Sequence, residues 1–353
     1  MFTLRATPTI HICKCLGLWR RAVLVGTCVT LMVLVGFSSL TFPLQHLSLT
    51  VWRIVVTYLD QGCLNLPASV TNAKGLVSPG TPLNFSPHFL IEEADFCRRR
   101  PHLSIVAYVH SSISSVEKRM ETRSTWASAG AYDKDVRMGV VFMVGLAKTR
   151  EEQKILKEES TRYHDIIQGN YTDTYHLLSY KALASLHWVT RHCLHVPWTL
   201  HTDDDVLIDV FFLTKFLERH GTADSFLCYI WDKPPVRRRG RWCVQPEEFP
   251  EDNYPPYCAG GAWVMATPLA SRLLLAASQV PFLWVDDAYI TGVLAKYASV
   301  RHSKKSSKFI RIKGIVEKDL GNVMAWLNLQ EHRNTWWFKL LLHYNHLSPV
   351  SSP

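Results

Sequence analysis

The chain has 353 residues, 47% of them hydrophobic and 20% charged, with a formal net charge of +9. That composition excludes a disordered or collagen-like chain and leaves enough length to bury one large core or two modest ones. The basic excess has local sources such as Arg237-Arg238-Arg239. Neither a Cys/His finger nor a basic heptad helix accompanies it, so no nucleic-acid partner is expected.

Ala22 to Phe42 contains no charged side chain, and a helix needs about 20 apolar residues to cross a bilayer core. Arg5, Lys14, Arg20 and Arg21 precede this run, while the first acidic residue is Asp60. A positive flank stays on the cytoplasmic side. The expected organisation is a cytoplasmic tail over 1–21, a transmembrane signal-anchor over 22–42, a lumenal stem over 43–98 and a folded body over 99–353. The alternative is a cleaved signal peptide with Gly36-Phe37-Ser38 as its small-x-small site.

The stem contains Pro43, Pro67, Pro79, Pro82 and Pro87 and no sustained period, which reads as irregular chain. Leu103–Ser112 and Val136–Gly145 are β-branched apolar runs and predict buried strands. Between them Ser115–Ala127 predicts a helix, with Arg119 and Arg123 four apart on one face. Glu151–Tyr163 predicts a helix, Asp165–Gln168 a strand, Thr174–Cys193 a helix and Trp198–Thr202 a strand. A helix is expected from Leu207 to His220, closed by Gly221. Short strands near 226–231, 241–244 and 261–266 follow, then helices near 268–278 and 288–297. Strand–helix alternation of this kind predicts an α/β sandwich with a mainly parallel central sheet. The aromatic C-terminal stretch, with Trp326, Trp336, Trp337 and Phe338, reads as packed chain.

Of the 9 cysteines, Cys13, Cys15 and Cys28 fall in the tail or span. Cys63, Cys97, Cys193, Cys228, Cys243 and Cys258 lie beyond it, an even set compatible with disulfides in an oxidising lumen, their pairing left open. Asn84 and Asn170 head N-x-S/T sequons that fit a lumenal body. His187, His192, His195 and His201 crowd one stretch without the spacing of a helical zinc motif.

The chemistry centres on Asp203-Asp204-Asp205 at the end of an apolar strand. Three adjacent carboxylates raise one another's pKa unless a cation neutralises them. In extended chain Asp203 and Asp205 share a face, and paired oxygens suit Mn²⁺ or Mg²⁺. An EF-hand is excluded because Ile208 occupies the position its glycine would need. The competing structural reading is an acidic N-terminus for the helix at Leu207. A second acidic pair, Asp286-Asp287, stands before the expected helix at Ala288 and is either a cap or a base. Gly260-Gly261 permits close approach of backbone to a ligand, and Trp242, Tyr257 and Trp263 form a candidate sugar-stacking wall.

Trp198-Thr-Leu-His-Thr-Asp-Asp-Asp-Val206 resembles the aspartate-triplet motif of the β1,3-glycosyltransferases of glycosyltransferase family 31. Further similarities follow in order: Arg119, Arg123, Thr125 and Trp126; Phe142–Gly145; Asp165–Ile167; Asp173–Tyr175 and Lys181; Arg241-Trp242; Tyr254–Gly261; and Val285–Gly292. Where this chain has His201, Asp286 and Ala288, the family pattern has Lys, Glu and Val.

The resemblance implies a GT-A-type fold and a Golgi type II membrane enzyme whose catalytic domain is the body over 99–353. It would transfer a hexose from a UDP-sugar to a glycan on a glycoprotein or glycolipid, with inversion and a divalent metal. Galactosyl transfer is expected first and N-acetylglucosaminyl transfer second. In roles, it implies Asp287 as base, Asp205 and Asp203 as metal ligands, and Arg119, Arg123, Lys181, Asp203 and Asp204 on the donor side. Trp242, Tyr257, Gly260, Gly261 and Asp286 fall on the acceptor side. The remaining alternatives are a non-catalytic glycan-binding protein of the same fold and a metal-dependent phosphohydrolase.

Overall fold

The computed structural model describes residues 81–83, 85–303, 310–311, 315–327 and 333–346. The expected tail, the span Ala22–Phe42, the stem up to residue 80 and the sequon at Asn84 lie outside them. Among the described residues no helix is long and apolar enough to cross a membrane.

A six-stranded sheet organises the body. Its strands are β1 (Phe89–Ile91), β2 (Ile105–His110), β3 (Met138–Val144), β4 (Ile166–Gly169), β5 (Trp198–Asp203) and β10 (Ala262–Ala266), in the order β1-β4-β3-β2-β5-β10. The inner four run parallel, and the two edges, β1 and β10, run antiparallel to their neighbours. The expected α/β class with a mainly parallel sheet is therefore what the chain adopts.

Because successive side chains alternate across a strand, β2 sends Val106, Tyr108 and His110 to one face and Ile105, Ala107 and Val109 to the other. The first face packs with α3 (Leu178–His192) and α5 (Leu269–Ala277) around Trp188, Trp263 and Leu273. The second packs with α4 (Val210–His220) and the C-terminal α8 (Arg333–His343) around Trp126, Phe211 and Trp326. Helices α1 (Val116–Ser124) and α2 (Arg150–Tyr163) connect the early strands. Thr149 and Glu152 start α2 with reciprocal side-chain-to-backbone bonds, which satisfies two of its orphan N–H groups.

Three local expectations change. The helix expected from Leu207 begins at Val210. Leu207–Ile208 instead form a short strand, β6, paired with Ala325–Trp326 from the far end of the chain. Residues 241–244 form turn and irregular chain, not a strand. The folded body also takes in the last part of the expected stem. Phe89–Ile91 joins the sheet, Leu83 and Phe96 enter the core, and Cys97 is bonded to Cys193 at the end of α3. A second disulfide joins Cys228 to Cys258. Between β6 and β10 lie β7 (Ser225–Phe226), β8 (Ile230–Trp231) and β9 (Tyr257–Cys258). Beyond α5, the short α6 (Asp286–Ala288) runs into a π-helical segment, Tyr289–Leu294, and then α7 (Ala295–Tyr297).

Candidate active site

The triplet sits at the carboxyl end of β5, where open α/β sheets hold their ligands. The strand ends at Asp203, and Asp204-Asp205 form a turn. The expected placement of Asp203 and Asp205 on one strand face therefore does not hold. The cause is Asp204, whose main and side chain are held from every direction. Its N–H donates to the His110 carbonyl at 3.1 Å. Its carboxylate accepts from Ser111 Oγ at 2.8 Å and Lys118 Nζ at 3.0 Å, and its carbonyl accepts from Arg333 at 2.6 Å.

Asp205 stands at the rim with its side chain 47% exposed, 4.0 Å from Lys118. Asp203 faces the cleft, and its carboxyl is held well above the usual range by burial and then by Asp286, Asp205 and Asp204. None of the three caps α4. Asp209 does so, its carboxylate accepting from the Phe212 N–H at 2.9 Å, so helix capping does not account for the triplet.

The basic residues expected on the donor side lie beneath the site. Arg119 has no exposed surface, and all of its N–H groups are committed. They reach Glu159 at 2.8 and 2.6 Å, Ser111 Oγ at 3.1 Å and the carbonyls of Ser112 and Ile113. It clamps the loop after β2 and has no donor left for a phosphate, which corrects its expected role. Arg123 binds Asp165 through two bonds of 2.8 Å and also pairs with Glu159. Its guanidinium lies over the rings of Phe142 and Tyr163. Burial pushes the Glu159 carboxyl up, but Arg119 and Arg123 outweigh that and hold it below its ordinary value. Lys181 is 3% exposed and donates to the Ser111 carbonyl at 2.7 Å and to Asp173 at 2.8 and 2.9 Å, again beneath the site.

Asp203, Asp286 and Asp287 share the floor of one cleft of about 660 Å³. The first turn of α6 carries the acidic pair, and Asp287 accepts from the Ala288 N–H at 2.7 Å. A Cβ at Gly260 would stand 3.1 Å from Asp287 Oδ2, so the glycine lets the turn between Cys258 and Ala262 approach the carboxylate. A Cβ at Gly261 would meet the Leu327 side chain at 1.8 Å, which makes that glycine a packing requirement. Burial raises both carboxyls of the pair, and the charge of Asp286 raises Asp287 further. None of Asp203, Asp286 and Asp287 makes an ion pair among the described residues.

Tyr257 and Trp242 line the cleft as expected. Trp242 is 42% exposed and donates its indole N–H to the Tyr175 hydroxyl. Trp263 is fully buried in the core beneath, so it belongs to packing and not to a sugar wall. Asn170 is exposed on the chain leaving β4, where a glycan has room.

Lys118 and Trp284 carry no sequence signal of a place at the site, and Arg237 and Tyr175 are legible only as part of a basic run and of the Asp173–Tyr175 similarity. Lys118 precedes Arg119 on α1, turned about 100° from it, and so drops out of a reading based on the Arg119–Arg123 face. Arg237 lies 4.8 Å from the Trp242 ring and Arg241 4.6 Å from the Tyr175 ring. These cation–aromatic pairs order the cleft mouth.

Residues 117–306 match the family model described as Galactosyltransferase, and the chain belongs to that family. It is 27% identical over 244 residues to beta-1,3-galactosyltransferase 2 of Homo sapiens, a match covering 67% of this chain and 56% of that one. It is 30% identical over 208 residues to beta-1,3-galactosyltransferase 5 of Homo sapiens, covering 58% of this chain and 66% of that one. The chain thus spans little more than half the length of the first relative. Among solved structures, a glycosyltransferase involved in glycosylation of the major capsid of PBCV-1 aligns at a TM-score of 0.36 and 10% identity, over 67% of this chain and 98% of that one.

Proposed function

We propose that the chain is a UDP-sugar-dependent β1,3-hexosyltransferase of GT-A type that transfers galactose to a glycan hydroxyl with inversion. The observation that carries this reading is the convergence of Asp203, Asp286 and Asp287 on one cleft floor with no ion-pair partner among the described residues. Asp287 takes the acceptor proton as the hydroxyl attacks the anomeric carbon from the face opposite the leaving group. Its raised pKa moves it toward the range in which a base works best near neutrality.

The residues fit a hard divalent cation. Among the described residues no hydrogen bond occupies the carboxylate oxygens of Asp203 and Asp205, and the like charges raising Asp203 are what a cation relieves. When bound, Mn²⁺ or Mg²⁺ supplies neutralisation of the diphosphate leaving group. Asp204 holds the turn for those two neighbours. Trp242 and Tyr257 offer aromatic faces to the acceptor sugar, and Gly260 keeps backbone from blocking Asp287. The relatives' galactosyl activity supports galactose over N-acetylglucosamine as the donor sugar. Golgi residence and anchoring through Ala22–Phe42 are part of the same proposal and rest on the charge asymmetry around that run.

The test is a panel of UDP-galactose, UDP-N-acetylglucosamine and UDP-N-acetylgalactosamine with Mn²⁺ and β-galactoside or N-acetylhexosamine acceptors. Transfer from UDP-galactose, with a β1,3 linkage in the product, is expected. Glycan binding without turnover, or phosphate release without transfer, would overturn the reading.

A further inference from the structure

Behind Asp286 lies a cluster of polar side chains that the proposed transfer does not use. Tyr108 and His110 come from β2, His201 comes from β5, and alternation puts all three on the sheet face that carries Asp203. The two imidazoles meet at 4.5 Å with an interplanar angle of 78°, and His201 stacks on Trp263 at 3.6 Å. His110 is 5% and His201 1% exposed. One ligand atom from each of His110, His201 and Asp286 lies within 4.8 Å of the others.

Among the described residues His110 Nδ1 and the ring nitrogens of His201 make no hydrogen bond of normal geometry; the Gly260 backbone lies beside His201, and the Tyr108 hydroxyl faces the Trp263 indole. A buried polar group left unpartnered is destabilising.

We propose that His110, His201 and Asp286 bind a divalent transition cation of the zinc type, separately from the carboxylates of Asp203 and Asp205. Two imidazoles and one carboxylate are a borderline donor set, suited to Zn²⁺ over Mn²⁺ or Mg²⁺. Zinc holds such ligands at roughly 2.0–2.2 Å, so binding draws the three groups closer together. The Ser185 hydroxyl stands 3.3 Å from His110 Nε2. That leaves Nδ1 for the metal and orients the ring, as outer partners do for metal-bound histidines. Burial keeps both imidazoles neutral, with His201 pushed down to about 3, and the neutral ring is the form that ligates. Lys181 is the nearby cation, and its ammonium is already paired with Asp173.

His201 and Asp286 are also two positions where this chain departs from the family pattern, and here they meet. A cation between them would fix the carboxylate next to Asp287 and offset its charge, so the rise that Asp286 gives Asp287 describes the metal-free chain. The inference does not depend on the transferase reading, because its readout is metal binding.

The experiment uses the purified full-length chain, stripped with chelator and titrated with Zn²⁺ alone, and in parallel with Co²⁺ for its visible spectrum. Wild type should bind one equivalent of Zn²⁺ at this site and develop the strong d–d bands of a low-coordinate imidazole site with Co²⁺. His110→Gln and His201→Gln should each weaken Zn²⁺ by about 100-fold or more, while Asp205→Asn leaves it unchanged. The Co²⁺ spectrum of wild type stands even where a histidine variant fails to fold. Absence of those bands, or Zn²⁺ binding that survives both histidine changes and is lost in Asp205→Asn, overturns the proposal.

Discussion

Two groups of carboxylates flank the end of β5, and they are treated in opposite ways. On the α1–α2 side, Glu159, Asp165 and Asp204 each have a cation within 3.0 Å, from Arg119, Arg123 and Lys118. On the cleft side, Asp203, Asp286 and Asp287 have none in an ion pair among the described residues; burial holds all three above their ordinary pKa, and neighbouring carboxylates raise Asp203 and Asp287 further. Paired carboxylates hold a loop in place. Unpaired ones, kept at a cost, are available to a proton or to a cation brought by a ligand. The difference separates framework from chemistry inside one stretch of chain.

The largest expected effect lies on the cleft side. Asp287→Asn keeps the shape and removes the proton acceptor, so transfer should fall by about 10²–10⁴-fold. UDP-sugar affinity should persist if, as proposed, the diphosphate is met at the triplet. Transfer rates alongside donor titrations check this, and a near wild-type rate would place the base elsewhere.

The framework side should fail differently. Arg119→Ala leaves buried Glu159 short of a partner and frees the Ser111–Ile113 loop. Breaking a buried pair typically costs about 3–5 kcal/mol, and the remaining Arg123 contact puts the expected loss near the lower end. Denaturant unfolding measures it. A variant of unchanged stability with weakened donor binding would make Arg119 a phosphate ligand after all.

A smaller effect is expected at the boundary. Lys118 is half exposed, and such pairs contribute about 0–1 kcal/mol. Lys118→Met should barely alter stability and should strengthen the Mn²⁺ response of transfer a few-fold, because a competing ammonium leaves Asp205. A weaker response would mean that Lys118 helps to hold the donor.

Much of this division could be read in advance, and the omissions have physical causes. The strands at 105–110, 138–144 and 198–203 announce themselves because buried parallel strands are continuous β-branched runs. Asp203 and the Asp286-Asp287 pair stand out because clustered carboxylates are costly. Leu207–Ile208 escapes because its strand partner is Ala325–Trp326, and tertiary pairing overrides local helical spacing there. Arg119 and Arg123 read as ligands because a sequence shows an arginine face but not the Glu159 and Asp165 that saturate it. His201 shares a sequence stretch with His187, His192 and His195, yet its structural neighbour is His110, which only the β2–β5 pairing brings close. His192 instead reaches Glu92.

The central claim is that Asp287 works as a base whose pKa is raised by burial and by Asp286. Its most direct test is the pH dependence of kcat/KM for wild type and Asp286→Asn. In wild type the acid limb should lie above the ordinary carboxylate range, because a raised pKa keeps the base protonated, and inactive, to higher pH. Removing the Asp286 charge makes Asp287 easier to ionise, so in Asp286→Asn the limb should move to lower pH while activity remains. An acid limb at the usual carboxylate pH in wild type, or one that does not move in Asp286→Asn, would contradict the account.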